Sequence, residues 1–201
     1  MKFGRKYFAA SLAAVGLAAS MPAWGVSYVY TGGNYTNVTD SATVAGAYTT
    51  SMFVSGSFSL AAPLAANLSG ANIDALLTSF TFNDGRTTLT NTTSGVVFDF
   101  LLSTNAAGAI TAWNIAINTP PSSSTILNDY FIETCSGFAA CPTGRDQGRI
   151  RQFLAAGSPR AIDGATGKPP GTWQVAVPEP GSLALLGLGL LGLGLTRRKA
   201  A

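Results

Sequence analysis

The sequence predicts an all-β fold, an antiparallel β-sandwich that is jelly-roll-like or similar, flanked by an N-terminal signal peptide and a C-terminal single hydrophobic helix. Three observations predict it. Residues Tyr48–Leu60 alternate between apolar and polar side chains, which is the pattern of a strand with one buried face. Short apolar runs separated by turn-forming residues recur along the middle of the chain. The two ends are apolar and basic, whereas the middle is rich in Ser, Thr, Asn and Gly and poor in charge.

The N-terminal segment has the layout of a secretory signal peptide, with a basic start followed by an apolar run over residues 8–19. Small residues at positions −3 and −1 predict cleavage between Gly25 and Val26. Cleavage after Ala23 is an alternative, although it would place Met21 at position −3. The basic residues of this segment are Lys2, Arg5 and Lys6.

The middle of the chain, residues 26–177, has about 150 residues, which fits one domain with a buried core. We expect eight or nine short antiparallel strands there, because turn signals recur at short intervals. The first half should contain an edge strand, a clear strand in which Gly56 marks a bulge, a short helical turn or connection, and a hairpin closed by the two-residue turn Asp84-Gly85. The corresponding ranges are Val26–Val38, Tyr48–Leu60, Asn72–Leu77, and the hairpin arms Thr78–Asn83 and Arg86–Thr90.

The second half of the domain should add four strands and two loops. One short segment, Ile150–Leu154, could be either helix or strand. Loops are expected at Pro120-Pro121 and over Gly157–Gly171, because both are rich in Pro, Gly or Ser. The expected strands are Gly95–Ser103, Ala109–Ile117, Asn128–Thr134 and Thr172–Val177.

Cys135 and Cys141 are the only cysteines of the chain. An exported protein meets an oxidising compartment, so these residues are expected to form a disulfide. A metal site and a redox pair are the alternatives. Zinc prefers four ligands, but the chain has no histidine and no third cysteine, and the spacing is not Cys-x-x-Cys. We therefore predict no metal site at this pair.

No cofactor is predicted either. Residues 187–192 match the Gly-x-Gly-x-x-Gly pattern of dinucleotide-binding loops. That pattern needs a preceding strand, a following helix and an acidic residue about 20 positions further on, but the sequence ends nine residues after Gly192. Small residues within an apolar helix explain the match instead.

The sequence gives little support for an enzyme. Without histidine, a Ser-His-Asp or Cys-His device is impossible. A glycoside hydrolase would need two carboxylates roughly 5–10 Å apart. Asp84 and Asp163 each precede a glycine and are interpreted as turn residues, while Asp99 lies in an apolar strand, where we expect it to face solvent. The acidic residues of the middle are Asp40, Asp74, Asp84, Asp99, Asp129, Glu133, Asp146 and Asp163.

The charge balance excludes a nucleic-acid groove. Six of the 12 lysines and arginines but only one of the nine acidic residues lie in the two ends, so the middle has a net charge of −2. A small basic cluster at Arg145, Arg149 and Arg151 could contact an acidic polysaccharide, but a solvated loop is the simpler interpretation. Six aromatic residues could include a sugar-stacking platform, although most are expected in the core. They are Tyr28, Tyr30, Tyr35, Tyr48, Trp113 and Trp173.

The C-terminal tail has three parts in a fixed order. Pro178, Glu179 and Pro180 form a stiff, extended tripeptide. The apolar run Ser182–Leu195 carries no charge and would be about 21 Å long as a helix, against roughly 30 Å of hydrocarbon. It is therefore short for a permanent span. A basic cluster follows, and the positive-inside rule places it on the cytoplasmic side. The cluster consists of Arg197, Arg198 and Lys199.

This tail resembles the PEP-CTERM sorting signal of Gram-negative bacteria. The resemblance covers residues 178–201, about an eighth of the chain, and implies that exosortase, a membrane-embedded protease, recognises the tripeptide and removes the helix. The family is associated with bacteria that produce exopolysaccharide. The resemblance implies an exosortase-like protease and the secretion machinery as partners, with transient residence in the inner membrane and polysaccharide as a further candidate.

Three functions remain open from the sequence. The first is a non-enzymatic, exported surface protein whose β domain has a structural or interaction role. The second is a carbohydrate-binding module that uses exposed aromatic residues. The third is a hydrolase with a carboxylate pair. The expected organisation is a signal peptide at residues 1–25, the exported domain at 26–177 and the sorting signal at 178–201.

Overall fold

The structure is a computed structural model that describes residues 25–41, 46–119, 127–153, 159–167 and 170–176. These residues form a two-sheet antiparallel β-sandwich, which confirms the predicted fold class. The signal peptide, the loop at Pro120-Pro121, the sorting tripeptide and the predicted helix over 182–195 lie outside the described residues. Within the described ranges, no helix is long and apolar enough to cross a membrane.

Twelve strands and one 3-10 turn, Asp74–Leu76, follow one another along the described chain. The strands are β1 (Val26–Asn34), β2 (Asn37–Thr39), β3 (Phe53–Leu60), β4 (Ala71–Asn72), β5 (Leu77–Asn83), β6 (Thr88–Thr90), β7 (Val97–Thr104), β8 (Ile110–Thr119), β9 (Leu127–Ser136), β10 (Arg145–Phe153), β11 (Pro159–Gly167) and β12 (Thr172–Ala176).

The strands form two sheets. Sheet A has the order β12-β1-β3-β5-β6, and sheet B has the order β2-β11-β10-β9-β8-β7-β4. Neighbouring strands are antiparallel in both sheets. The last described strand returns to the first, since Tyr28 of β1 pairs with Val175 of β12. The two ends of the domain therefore lie side by side in sheet A.

The core lies between the sheets and is rich in aromatic rings. Alternation along β8 buries Trp113, Ile115 and Ile117, as the sequence predicts. The ring of Phe58 in sheet A packs edge-on against Phe100 in sheet B, with 5.8 Å between centroids. Other large side chains that are fully buried are Tyr30, Tyr35, Phe80, Phe82, Ile73, Leu89, Leu102 and Ile132.

Buried carboxylates connect the two sheets. The hydroxyl of Tyr30 in β1 donates to Oδ1 of Asp146 in β10 at 2.6 Å. Arg86, in the connection after β5, forms an ion pair of 2.6 Å with Asp163 of β11, and the Asp163 side chain is completely buried. Because an unpaired buried charge is costly, these partners have to meet when the sheets close on each other.

The hairpin of β5 and β6 is present, but the predicted two-residue turn is wrong. Asn83 pairs with Thr88, which leaves a four-residue connection from Asp84 to Thr87. The carboxylate of Asp84 is buried, accepts the backbone N–H groups of Arg86 and Thr87, and accepts the Tyr48 hydroxyl at 2.5 Å. These bonds draw the connection into the core, so Asp84 is a turn residue with an added structural role.

Two predictions about sheet A are wrong. The first strand is not at an edge, because β12 pairs with its outer side. Gly56 is not a bulge, since Ser55 to Ser57 stay in register with both neighbours. A Cβ on Gly56 would collide with the ring of Phe82, so this glycine makes room for a core aromatic side chain.

The largest error concerns Gly157–Gly171, which was expected to be a loop. Pro159–Gly167 is strand β11, paired with β10 on one side and β2 on the other. Its small side chains gave no apolar alternation, and the neighbouring strands supply its hydrogen bonds. In the ambiguous segment Ile150–Leu154, the residues up to Phe153 form the end of the longer strand β10, and Leu154 lies outside the described residues. Asp163 is consequently a buried strand residue, and its interpretation as a turn residue is wrong.

Candidate functional site

The residues next to both predicted processing junctions lie at the same end of the domain. β1 begins at Val26, next to the predicted signal-peptide cleavage, and β12 ends at Ala176, two positions before Pro178. Ser27 and Ala176 are paired neighbours in sheet A. We call this the tail-bearing end. The tripeptide Pro178-Glu179-Pro180 and the basic residues from Arg197 to Lys199 lie outside the described residues.

The signal-peptide junction adjoins a buried strand. Val26 is 7% exposed and pairs with Leu60, and a Cβ on Gly25 would lie 3.1 Å from the Leu60 carbonyl oxygen. A protease needs accessible, extended chain around the bond that it cuts. Cleavage between Gly25 and Val26 would therefore have to precede the pairing of β1.

The tail-bearing end is strongly apolar. The connection from β3 to the 3-10 turn, residues 61–73, contains no charged residue. A groove of about 430 Å³ opens along it, and Leu76, which is 59% exposed, lies at its wall. On the neighbouring side, Val175 is 50% exposed beside a second apolar depression that includes Val26 and Leu64. Asp74 and Asp99 are hydrogen-bonded to Asn72, which lines the same groove, so carboxylates border it on one side.

The predicted disulfide is present. Cys135 at the end of β9 is bonded to Cys141 in the connection to β10, with 6.0 Å between their Cα atoms. The connection turns through Gly137 and Gly144, both with positive φ, and Gly144 packs against Pro170. The disulfide thus fixes a turn that lies against the chain just before β12.

The carboxylates do not form an evident acid–base pair for hydrolysis. Asp84, Asp146 and Asp163 are completely buried between the sheets and engaged as described. Burial raises the pKa of Asp146 to about 6, although the hydrogen bond from Tyr30 acts in the opposite direction. These groups hold the fold together rather than face a substrate.

Asp99, the acid singled out in the sequence, lies on the outer face of β7. Nδ2 of Asn72 donates to Asp99 and to Asp74 at 3.0 Å each, so the two carboxylates flank one amide. Partial burial, and then the charge of Asp74, raise the pKa of Asp99. Asp74 also accepts the backbone N–H of Phe100 at 2.8 Å, which gives it a structural role. Within the described residues, no group of three or more acidic or cysteine side chains could hold a metal ion.

The arginine cluster lies on a strand, so its interpretation as a solvated loop is wrong. Arg145, Arg149 and Arg151 alternate along β10 and share the outer face of sheet B. Arg145 donates to Glu133 at 2.6 Å, and Arg151 forms an ion pair with Asp129. Arg149 instead lies over the ring of Phe131, with 4.5 Å from its Cζ to the ring centroid.

The six aromatic residues proposed for sugar stacking do not form an exposed platform. Tyr28, Tyr30, Tyr35 and Tyr48 are buried, and so is Trp113. Trp173 is partly buried against Tyr30 and Phe58, with centroids 4.9 and 5.4 Å away. Aromatic side chains dominate protein cores, and these six belong to the core or pack against it.

A feature that the sequence did not reveal is a shallow groove beside Arg149, between β2, β11 and β10, with a lining that is partly polar and partly apolar. It has a volume of about 270 Å³. The groove depends on the pairing of β11 with two partners, and β11 itself was expected to be a loop. The basic cluster of Arg145, Arg149 and Arg151 was the only signal of it in the sequence.

Comparison with known families finds the PEP-CTERM protein-sorting motif at residues 176–199. The chain therefore carries the sorting signal of an exported surface protein that is processed by exosortase at the membrane. The motif begins at Ala176, the last residue of β12. No curated protein and no solved structure matches the chain.

Proposed function

We propose that this chain is a non-enzymatic cell-surface protein with a structural or interaction role in the bacterial envelope. A signal peptide over residues 1–25 directs export, the sandwich is the cargo, and the segment from Pro178 onward is a temporary anchor in the inner membrane. Ser182–Leu195 acts as the membrane helix, with the basic cluster on the cytoplasmic side. The mature form is released or re-attached at the surface.

The observation that carries the proposal is the shared end of the two junctions. Only five residues separate Ala176 from the apolar run that begins at Ser182. At about 3.5 Å per residue, this stretch reaches at most about 20 Å. The tail-bearing end of the anchored precursor must then lie close to the lipid, and much of the surface at this end is apolar. An apolar surface is best tolerated there.

The enzymatic alternative has less support. The buried carboxylates are engaged in contacts between the sheets, and the Asp74–Asp99 pair is bridged by a side-chain amide. Carbohydrate binding through exposed aromatic residues also has less support, because the candidate rings are in the core. A structural or interaction role requires neither feature.

Replacing Glu179 by Gln tests the sorting step. We expect the variant to accumulate as an uncleaved form in the inner membrane, because the protease is expected to recognise the tripeptide. Intact-mass measurement on the protein from membrane and extracellular fractions would report both cleavages and the disulfide together. Asp40→Asn is the matched control, since it removes one exposed carboxylate from the domain and should be processed normally. Normal processing of Glu179→Gln would refute the sorting assignment.

A further inference from the structure

The groove on the outer face of sheet B is built around a missing side chain. Gly164 of β11 pairs with Arg149 on one side and with Thr39 of β2 on the other. Because outward-facing residues on neighbouring strands stand next to each other, the glycine leaves a gap between Thr39 and Arg149. Asn37, Gln147 and Thr166 extend the lining with amides and a hydroxyl group, and the exposed side chain of Ile162 adds an apolar patch that could contact the C–H face of a sugar ring.

Arg149 differs from the two arginines beside it. Arg145 and Arg151 are each paired with a carboxylate. The Nε atom of Arg149 is buried and has no hydrogen-bond acceptor among the described residues. Burial, and then the neighbouring charge of Arg151, lower the pKa of Arg149. The guanidinium of Arg149 thus differs from its two neighbours in having no carboxylate partner among the described residues, which leaves its charge to be matched by a ligand.

The position of the guanidinium is also fixed in advance. Its Cζ atom lies over the ring of Phe131, and its strand is hydrogen-bonded on both sides. A planar guanidinium held in this way is suited to bind a carboxylate through two parallel hydrogen bonds. One guanidinium matches one negative charge, which favours a carboxylate over a doubly charged phosphate.

The remaining lining determines the rest of the ligand. Asn37, Gln147, Thr39 and Thr166 can donate and accept hydrogen bonds but carry no charge. Such groups suit hydroxyl groups arranged around a carboxylate. We propose that this groove binds a carboxylate-bearing sugar, a uronic acid, with the acid group on Arg149 and the hydroxyl groups on the flanking amide and threonine side chains. The groove is open along the sheet, which allows the sugar to belong to a longer chain.

Gly164 provides a test that leaves the fold intact. A Cβ at this position would meet only the carbonyl oxygen of Gly148, at 3.7 Å, which is an ordinary contact. Gly164→Val should therefore fill the groove without disturbing the strand, which favours β-branched residues. Ala116→Val is the matched control, because it adds bulk to the same outer face on β8, outside the groove. Thermal unfolding of each variant would verify the fold.

The binding measurement uses the full-length chain in detergent, titrated by calorimetry with a short oligomer of galacturonic acid. We expect the oligomer to bind the parent and Ala116→Val. Its affinity for Gly164→Val and for Arg149→Gln should be lower by about tenfold or more, as the loss of a charge-assisted hydrogen bond implies. Arg149→Lys should recover only part of the affinity, because lysine lacks the planar fork.

Three results would overturn the inference. The first is no binding of the galacturonate oligomer at millimolar concentration. The second is equal binding of the neutral galactose oligomer, or of acetate or inorganic phosphate, which would make the site a general sugar or anion site. The third is unchanged affinity in Gly164→Val, which would place the ligand elsewhere. None of these results bears on the sorting step, which is tested separately by Glu179→Gln.

Discussion

Asp146 shows how much a single residue contributes to this fold. Its carboxylate lies between the sheets, accepts the Tyr30 hydroxyl and has a second oxygen that is buried without a partner among the described residues. The same Tyr30 oxygen accepts the backbone N–H of Gly171 at 2.7 Å, just before β12. One chain of hydrogen bonds thus connects β10, β1 and the entry to the last strand.

This environment makes stability depend on pH. The pKa of Asp146 is about 6 in the folded protein, against 3.8 for an ordinary aspartate. The folded state therefore keeps the proton between these values while the unfolded chain loses it. The contribution of Asp146 to the free energy of unfolding is complete below about pH 4 and is lost as the pH rises through 6, by about 3 kcal/mol at most.

Asp146→Asn should remove this dependence, because its amide oxygen can still accept the Tyr30 hydroxyl. We expect the variant to gain up to about 3 kcal/mol relative to the parent between pH 4 and pH 7. Urea unfolding at several pH values measures the difference, and Asp40→Asn serves as the exposed control. A stability difference that stays constant across this range would show that Asp146 does not titrate there.

The disulfide is a second determinant at the level of residues. Replacing both Cys135 and Cys141 by alanine frees the short loop that they close. Loop-closure entropy predicts a loss of about 2 kcal/mol in the free energy of unfolding. Urea unfolding of the parent with and without a reducing agent, compared with the double variant, would measure it. If the reduced parent were as stable as the oxidised one, the bond would have no stabilising role.

At the level of elements, two glycines on adjacent strands have opposite roles. A Cβ on Gly148 of β10 would lie 2.6 Å from Oδ2 of Asp84, in the connection that enters the core from sheet A. Gly148→Ala should therefore cost about 1–3 kcal/mol through overpacking. Gly164→Ala on β11 has no close contact and should be neutral or stabilising by about 0.5–1 kcal/mol. Thermal and urea unfolding of both variants would check the contrast, and equal effects would contradict it.

The strands that were predicted well from the sequence are those with one buried face and one solvent-exposed face. β3 and β8 follow strict alternation, so Phe58 and Trp113 could be assigned to the core from the sequence alone. β11 could not be found in this way, because its residues are small and its pairing with β2 and β10 is set by distant parts of the chain. The groove at Arg149 was missed for the same reason.

The buried acids were also beyond sequence reasoning. Asp84 and Asp163 both precede glycine, and a local rule favours turns for both. Asp84 is buried against Tyr48, which lies 36 residues earlier in the chain. Asp163 is buried against Arg86, which lies 77 residues earlier. Alternation in the sequence indicates which face of a strand is buried. It does not indicate a buried polar side chain whose hydrogen-bond partner lies on the opposite sheet.

At the level of the whole molecule, the β domain should not need either end of the chain. A chain of residues 26–176 contains the whole described core, and we expect it to unfold cooperatively as a soluble monomer. Circular dichroism and urea unfolding would show this. A chain that folds only with the tail attached would contradict the division into an exported β domain and separate sorting segments.

The shorter chain of residues 26–171 provides the control for this experiment. It lacks β12 and with it Trp173, which packs against Tyr30 and Phe58 and lies 6.1 Å from Trp113. Loss of a buried tryptophan costs about 3–5 kcal/mol, and β1 would become an unprotected edge. We expect this chain to be unfolded or aggregated.

The attachment of the tail to an edge strand has a mechanical consequence. If the tail anchors the chain as proposed, tension on it is applied at Ala176, where the pairing of β12 with β1 begins at Ser27. Hydrogen bonds loaded from one end rupture one after another, so the strand peels away instead of resisting as a unit. Shear at the envelope would thus open the sandwich first at β12, and the emission of Trp173 would report the moment at which it leaves its aromatic neighbours.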